Sequence, residues 1–282
     1  MKKILLSILS FNIFVFSYAF LMPVNAFTNS NNANNIYSEN EFIALNNEIE
    51  SYNKLKSVSK DSSHYNELVE NKSKFKQHIY SLKTKKISEL KEMNYTDSQI
   101  SAIKNYDGSD ELSARAAATV QGTLSVLSFK YNSSTKKTNI TAKYTAKWNG
   151  TPYFKYYDVM AIAIAGSEKK FMHNGSSFSC NKVTDKAGTN ASRNIHNAAG
   201  VSYKFNIADK NNTAVFSSAT VTYKAIAGGK VSVAAVEARY AHWQLSASPD
   251  FSITTSGTSI GFKIGPAYNT ENKRNKTLKQ YI

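Results

Sequence analysis

Hydrophobic positions recur with two different periods along this 282-residue chain, and the change of period divides it. From Ser38 onward Phe42, Leu45, Ile49, Tyr52 and Leu55 fall three or four residues apart, the spacing that lines one face of a helix. Ser38 and Glu41 read as a capping box at its start. A second helical stripe begins near Asp61 and carries Tyr65, Leu68, Val69, Phe75, Ile79, Leu82, Ile87, Leu90 and Met93, with Lys72 and Lys86 interrupting it. Thr96 with Gln99 forms another capping box, and Tyr95 is placed to staple onto Ile100 at the head of a short third helix. The helical region therefore spans 38–106. Its stripes are too short and too broken for a long coiled coil, so a helical hairpin packed within the chain is expected.

Residues 107–118, from Asp107-Gly108 through an alanine-rich run, show neither period and read as a linker. From Thr119 the period becomes two. Ile140, Ala142, Tyr144, Ala146 and Trp148 alternate with Thr141, Lys143, Thr145 and Lys147, so one face of that strand is apolar and the other basic. Val201, Tyr203, Phe205 and Ile207 repeat the pattern, while 159–165 is apolar on both faces, as a central strand would be. Further strands are expected within 120–129, 214–226, 230–244 and 259–264. Turns are expected at Asn149-Gly150, at Asp209 to Asn212 and at Gly228-Gly229. The fold class predicted is α+β: N-terminal amphipathic helices followed by an antiparallel β-sandwich or barrel over 119–267, then a basic C-terminal tail over 268–282.

The first 26 residues carry an address rather than a fold. Lys2 and Lys3, the apolar run from Ile4 to Met22, and Val24-Asn25-Ala26 together read as a secretory signal peptide, and 27–37 as a disordered polar segment. A secreted, extracellular protein is expected. Cys180 is the single cysteine, so no intramolecular disulfide can form; it reads as a buried small hydrophobe or, less favoured, as an intermolecular partner. Beyond the leader the chain has 33 Lys and Arg against 20 Asp and Glu, and residues 119–282 alone hold 21 against seven. Nearly all the net positive charge thus belongs to the β half, where it would concentrate anionic partners.

The segment Met93-Asn94-Tyr95-Thr96-Asp97-Ser98-Gln99-Ile100, the alanine-rich junction and Tyr240-Ala241-His242 resemble parts of uncharacterised secreted proteins of low-GC Gram-positive bacteria. The resemblance implies export and a helix-plus-β layout, and no activity.

Catalytic chemistry finds little material. His173, Cys180, His196 and His242 lack the spacing of a zinc site, and the carboxylates Asp158, Asp185, Asp209, Glu237 and Asp250 are scattered. His242 reads as a hydrogen-bonded structural residue, and Glu237 as the partner of Arg239 on the same face of its strand. No cofactor, metal or catalytic set is expected. The best ligand-binding candidates are the rings Trp148, Tyr153, Phe154, Tyr156 and Tyr157 around one turn, flanked by Lys147 and Lys155, because aromatic faces and cations suit sugars, bases or a bilayer interface. The reading that follows is a non-catalytic interaction protein whose basic β domain binds an anionic cell-surface polymer, glycan or lipid headgroup, with peripheral membrane contact and no specific nucleic acid. The alternative is a membrane-active toxin or bacteriocin-like protein, with small-residue alternation in 160–166 and 232–238 available to insert as a β-hairpin.

Overall fold

Two five-stranded antiparallel sheets are what the alternating segments build in the computed structural model, which describes residues 35–54, 63–182, 191–196, 200–208, 215–244, 250–265 and 278–281. The leader, Leu55, Asp61, Asp185, the Asp209 to Asn212 turn and most of the basic tail lie outside the described residues. In chain order the elements are β1 (Asn35–Asn40), α1 (Glu41–Lys54), α2 (Ser63–Thr84), α3 (Ile87–Glu92), α4 (Asp97–Lys104), α5 (Asp110–Ala116), β2 (Thr119–Asn132), β3 (Lys137–Asn149), β4 (Tyr157–Gly166), β5 (Met172–Lys182), β6 (Ala191–His196), β7 (Gly200–Asn206), β8 (Phe216–Gly228), β9 (Ala234–His242), β10 (Asp250–Ser256), β11 (Ser259–Gly265) and β12 (Leu278–Tyr281). The first sheet has the order β1-β2-β3-β8-β5 and the second β12-β9-β4-β7-β6, with β10 and β11 forming a separate hairpin. The fold is α+β with a sandwich rather than a barrel.

Period-two alternation explains the core between the sheets. Ile140, Ala142, Tyr144, Ala146 and Trp148 of β3 meet Met160, Ile162 and Ile164 of β4 and Val236, Ala238 and Tyr240 of β9 in one buried cluster. The other face of β4 is equally dry: Val159, Ala161 and Ala163 pack with Ala241 beneath Ile253 and Phe262 of the hairpin. That is why β4 shows no alternation in sequence. Segments 160–166 and 232–238 do lie together, Gly166 opposite Ala234, but as two central strands joined through the other sheet rather than as a hairpin.

Four boundaries differ from the sequence reading. Ser38 belongs to β1, which pairs with β2; the first helix is capped by Asn40, whose Oδ1 accepts the N–H groups of Phe42 at 3.1 Å and Ile43 at 3.0 Å. The second stripe breaks into α2 and α3 at Lys85-Lys86, where the Lys86 N–H donates to Glu89 Oε2 at 2.6 Å and starts a new helix. The supposed linker contains α5, capped by Ser109. The end of the tail, β12, pairs with β9 at the edge of the second sheet. By contrast the Thr96–Gln99 box forms as expected, with the Gln99 N–H donating to Thr96 Oγ1 at 3.3 Å and the Thr96 N–H to Gln99 Oε1 at 2.9 Å.

The helices enclose their own core, in which Phe42, Leu45, Leu68, Phe75, Ile79 and Ile103 surround Phe154 from the β3–β4 loop. Helices and sandwich together make one compact unit over residues 34–282. No helix among the described residues is long and apolar enough to cross a membrane.

Candidate functional site

The turn after β3 is held by the segment that follows α3. Asn94, at φ 65°, accepts the Gly150 N–H on its carbonyl at 2.6 Å and donates its side-chain amide to the Trp148 carbonyl. Thr151 Oγ1 donates to the Met93 carbonyl at 3.0 Å, and Tyr95 Oη donates to the Thr151 carbonyl at 3.1 Å. Gly150 itself sits at φ +80°, where a Cβ would lie 2.6 Å from the Tyr95 ring, so the close approach and the backbone both require glycine. The stretch 93–100 is thus a splint that fixes residues 149–154.

Below that loop lies a closed ionic cluster. His242 Nδ1 is 2.9 Å from Asp158 Oδ1 and its Nε2 is 3.1 Å from Glu41 Oε1. The Glu41 carboxylate also accepts the N–H groups of Tyr153 at 3.0 Å and Phe154 at 2.9 Å. Asp158 Oδ2 accepts from Tyr240 Oη, which itself accepts from Trp148 Nε1 at 3.0 Å. Burial alone would push the imidazole pKa down; Coulomb attraction and hydrogen bonding from Asp158 and Glu41 outweigh it and raise it to about 10, which favours a ring protonated on both nitrogens. Burial holds the Asp158 carboxyl above its usual value against the pull of His242 and Tyr240. The side chains of His242, Asp158 and Glu41 are 7%, 0% and 1% exposed. The cluster joins α1 to β4 and β9. Sequence reasoning identified His242 as hydrogen-bonded but missed Glu41, which lies 201 positions away; a glutamate opening an otherwise apolar helix face was its one local sign.

The sequence-predicted binding residues separate into four groups. Trp148 and Phe154 are 1% and 3% exposed, members of the sandwich and helical cores respectively, because alternation and the Glu41 contact turn them inward; neither offers a stacking face. Tyr157 is 42% exposed on β4, with Lys204 Nζ 4.5 Å above its ring. Tyr153, Lys155 and Tyr156 come together with Asn71, Lys74 and His78 of α2 around a cleft of about 470 Å³. There Tyr153 packs on His78 with ring centroids 4.8 Å apart, and Tyr156 is 36% exposed.

Lys147 points elsewhere, onto the outer face of the first sheet. On that face Lys147, Thr145 and Lys143 of β3 stand between Gln121, Thr123 and Ser125 of β2 and Ser218, Thr220 and Thr222 of β8, with Asn181, Ser179 and Ser177 of β5 beyond. Lys224 lies beside Thr141 in the next row, and Thr145 Oγ1 is 3.0 Å from Thr220 Oγ1. Strands β2, β3, β5 and β8 contain no Asp or Glu at all. Two of the seven carboxylates of the β half, Asp158 and Glu237, are instead buried, Glu237 with Arg239 Nη2 at 3.9 Å as the sequence suggested. On these four strands the face therefore presents hydroxyls and amides studded with cations.

The remaining nucleophile and ligand candidates do not converge. Cys180 is buried in the sandwich core. His173 lies seven residues away on the same strand, roughly 20 Å at strand rise, with its ring stacked on Tyr223 at 5.6 Å. His196 Nε2 is 2.7 Å from Ser202 Oγ. Among the described residues no group of three or more His, Cys, Asp or Glu is arranged to hold a metal ion.

No family model matches the chain, and no curated protein matches it. Among solved structures it is similar to one described as a pore forming protein, at 9% identity over 58% of this chain and 85% of the other, with a TM-score of 0.26. A second, AvmM, described as catalysing macrocyclization in alchivemycin A biosynthesis, is 6% identical over 45% of this chain and 77% of the other, with a TM-score of 0.20. Likeness at that level carries no functional weight.

Proposed function

We propose that the protein is a secreted, non-catalytic binding protein whose sandwich attaches to an anionic cell-surface polymer, glycan or lipid headgroup through the outer face of the first sheet. The observation that supports this reading is the surface of β2, β3, β8 and β5, four strands without Asp or Glu, on which Lys143, Lys147 and Lys224 stand among serines and threonines. Lysines on strands without acidic residues leave their field uncancelled at the surface, and a hydroxyl-rich sheet offers donors and acceptors to phosphate or sugar oxygens.

Co-sedimentation with purified Gram-positive cell walls and with acidic liposomes tests it. Binding is expected at low salt and should weaken strongly at about 0.5 M, where the screening length falls to a few ångströms. Lys143→Glu, Lys147→Glu and Lys224→Glu together should abolish it; unchanged binding by that triple variant, or none by the wild type, overturns the proposal. A second reading, membrane activity, draws on the β10–β11 hairpin, which hydrogen-bonds into neither sheet and rests on Ile253, Ile260 and Phe262. Dye trapped in the same liposomes separates the two readings, since a surface-attached protein leaves it inside.

A further inference from the structure

We infer that the cleft between α2 and the β3–β4 loop is a second binding site, taking a sugar residue that bears an acidic group; it goes beyond surface attachment and is independent of the lysine face. Its volume, about 470 Å³, lies in the range of small-molecule sites. The walls combine what such a residue requires. Tyr156, 36% exposed, and Tyr153, packed on His78, line it with aromatic surface suited to the C–H face of a pyranose. Lys74 and Lys155 are exposed on its rim, positioned to meet a carboxylate or phosphate. Glu70 pairs with Lys74 at 2.6 Å, both side chains being more than half exposed; an exposed pair of this kind contributes little, so an incoming anion can take Glu70's place.

His78 supplies an independent sign. Its Nε2 is shielded from water and has no hydrogen-bond partner in the protein, although buried polar atoms are nearly always satisfied. The imidazole packs against Tyr153, so a ligand that shifts that ring reaches an open hydrogen-bonding atom. Burial holds the His78 pKa below its usual value and raises that of Tyr153; both groups therefore act as neutral hydrogen-bonding partners, and the lysines supply the charge. The site is also preorganised. Glu41 fixes the Tyr153 and Phe154 backbone, Thr151 is tied to Met93, and the Asn71 side-chain amide donates to the Gln244 carbonyl at 3.0 Å. Rigid support of this kind is what holds a binding constellation in place.

Calorimetric titration of the full chain with glucuronate, glucose 6-phosphate, glucose and inorganic phosphate tests the inference. At least one acidic sugar should bind about tenfold or more tightly than glucose and inorganic phosphate, and which one binds tells carboxylate from phosphate recognition. Tyr156→Ala and Lys155→Ala, both at exposed positions, should each weaken that binding by about tenfold, with circular dichroism confirming the fold. The triple lysine reversal on the first sheet should leave it unchanged, which keeps this site's failure distinct from that of the surface reading. Glucose binding as tightly as the acidic sugars, no binding of either acidic sugar, or full affinity in both cleft variants overturns the assignment.

Discussion

Charge is concentrated in two regions of this molecule, and they use it in opposite ways. The cluster of Glu41, Asp158 and His242 is closed, with every ionic side chain under a tenth exposed. The outer face of the first sheet is open, with Lys143, Lys147 and Lys224 all exposed. In the closed region each charge has lost its water and depends on its protein partners, so the cluster stabilises one arrangement of α1 against β4 and β9. In the open region each charge keeps its water and contributes little to folding, which leaves it available to a partner. Burial, rather than the number of charged groups, decides which role applies.

The sharpest way to break the comparison is to remove one member of the closed cluster. His242→Ala leaves two buried carboxylates facing each other, and Asp158→Asn leaves the imidazolium with one counter-charge. Loss of one partner of a buried pair costs about 3–5 kcal/mol, and urea unfolding of each variant should show a fall of that order. The triple lysine reversal should change stability by only about 0.5 kcal/mol per site while removing surface binding. A variant series in which the lysine reversals unfolded the protein and His242→Ala did not would invert the assignment of roles.

The pH dependence sharpens the same contrast. His242 has a folded pKa raised to about 10, above its unfolded value of about 6.5. Its contribution to stability is therefore complete below about pH 6.5 and declines as pH rises, being lost through the folded value near 10. Urea midpoints measured from pH 6 upward to about pH 10 should fall more steeply for the wild type than for His242→Gln. Ionisation of surface lysines and tyrosines is common to both proteins and cancels in the difference. Parallel curves would show that the imidazole is not charged in the fold.

Those two regions were also unequally legible in the sequence. The basic face was visible as strict alternation in 140–148, because lysine and threonine recur at every second position against an apolar partner face. The closed cluster was not, because its members come from α1, β4 and β9 and no local spacing links them. The strands show the same division. Central strands β2, β3, β4, β7, β8 and β9 were all expected, as was β11, whereas β10 of the hairpin and β1, β5, β6 and β12 were not, and these last four are the edges of the two larger sheets. An edge strand has one free row of backbone groups and tends to carry polar or charged residues that discourage further pairing. β6, with the sequence ASRNIH and four exposed positions, is a case in point. The tail's β12 and β1, which begins in the polar segment expected over 27–37, were hidden for the same reason. Of the ring cluster, Tyr153, Phe154 and Tyr156 with Lys155 line the cleft, Phe154 nearly covered by the helical core, whereas Trp148 turned into the sandwich; helices from the other half of the chain decided how much of each loop ring stayed open.

A much smaller effect than that of the cluster is expected at a charged contact between these extremes. Asp110 at the start of α5 accepts from Lys72 Nζ and Lys76 Nζ, each at 2.6 Å, and those hydrogen bonds hold its pKa below the usual carboxylate value. Its geometry rivals that of the buried cluster, yet its side chain is 50% exposed. Solvent screening should therefore limit the loss in Asp110→Asn to about 1 kcal/mol or less, present at neutral pH and fading as pH falls through the acidic range where the carboxylate protonates. Added salt should shrink that difference further while leaving the effect of His242→Ala nearly unchanged, because mobile ions reach the first site and not the second. Equal salt sensitivity at the two positions would mean that the cluster is open to solvent, and the distinction between a charge that holds the fold and a charge that serves a partner would no longer rest on burial.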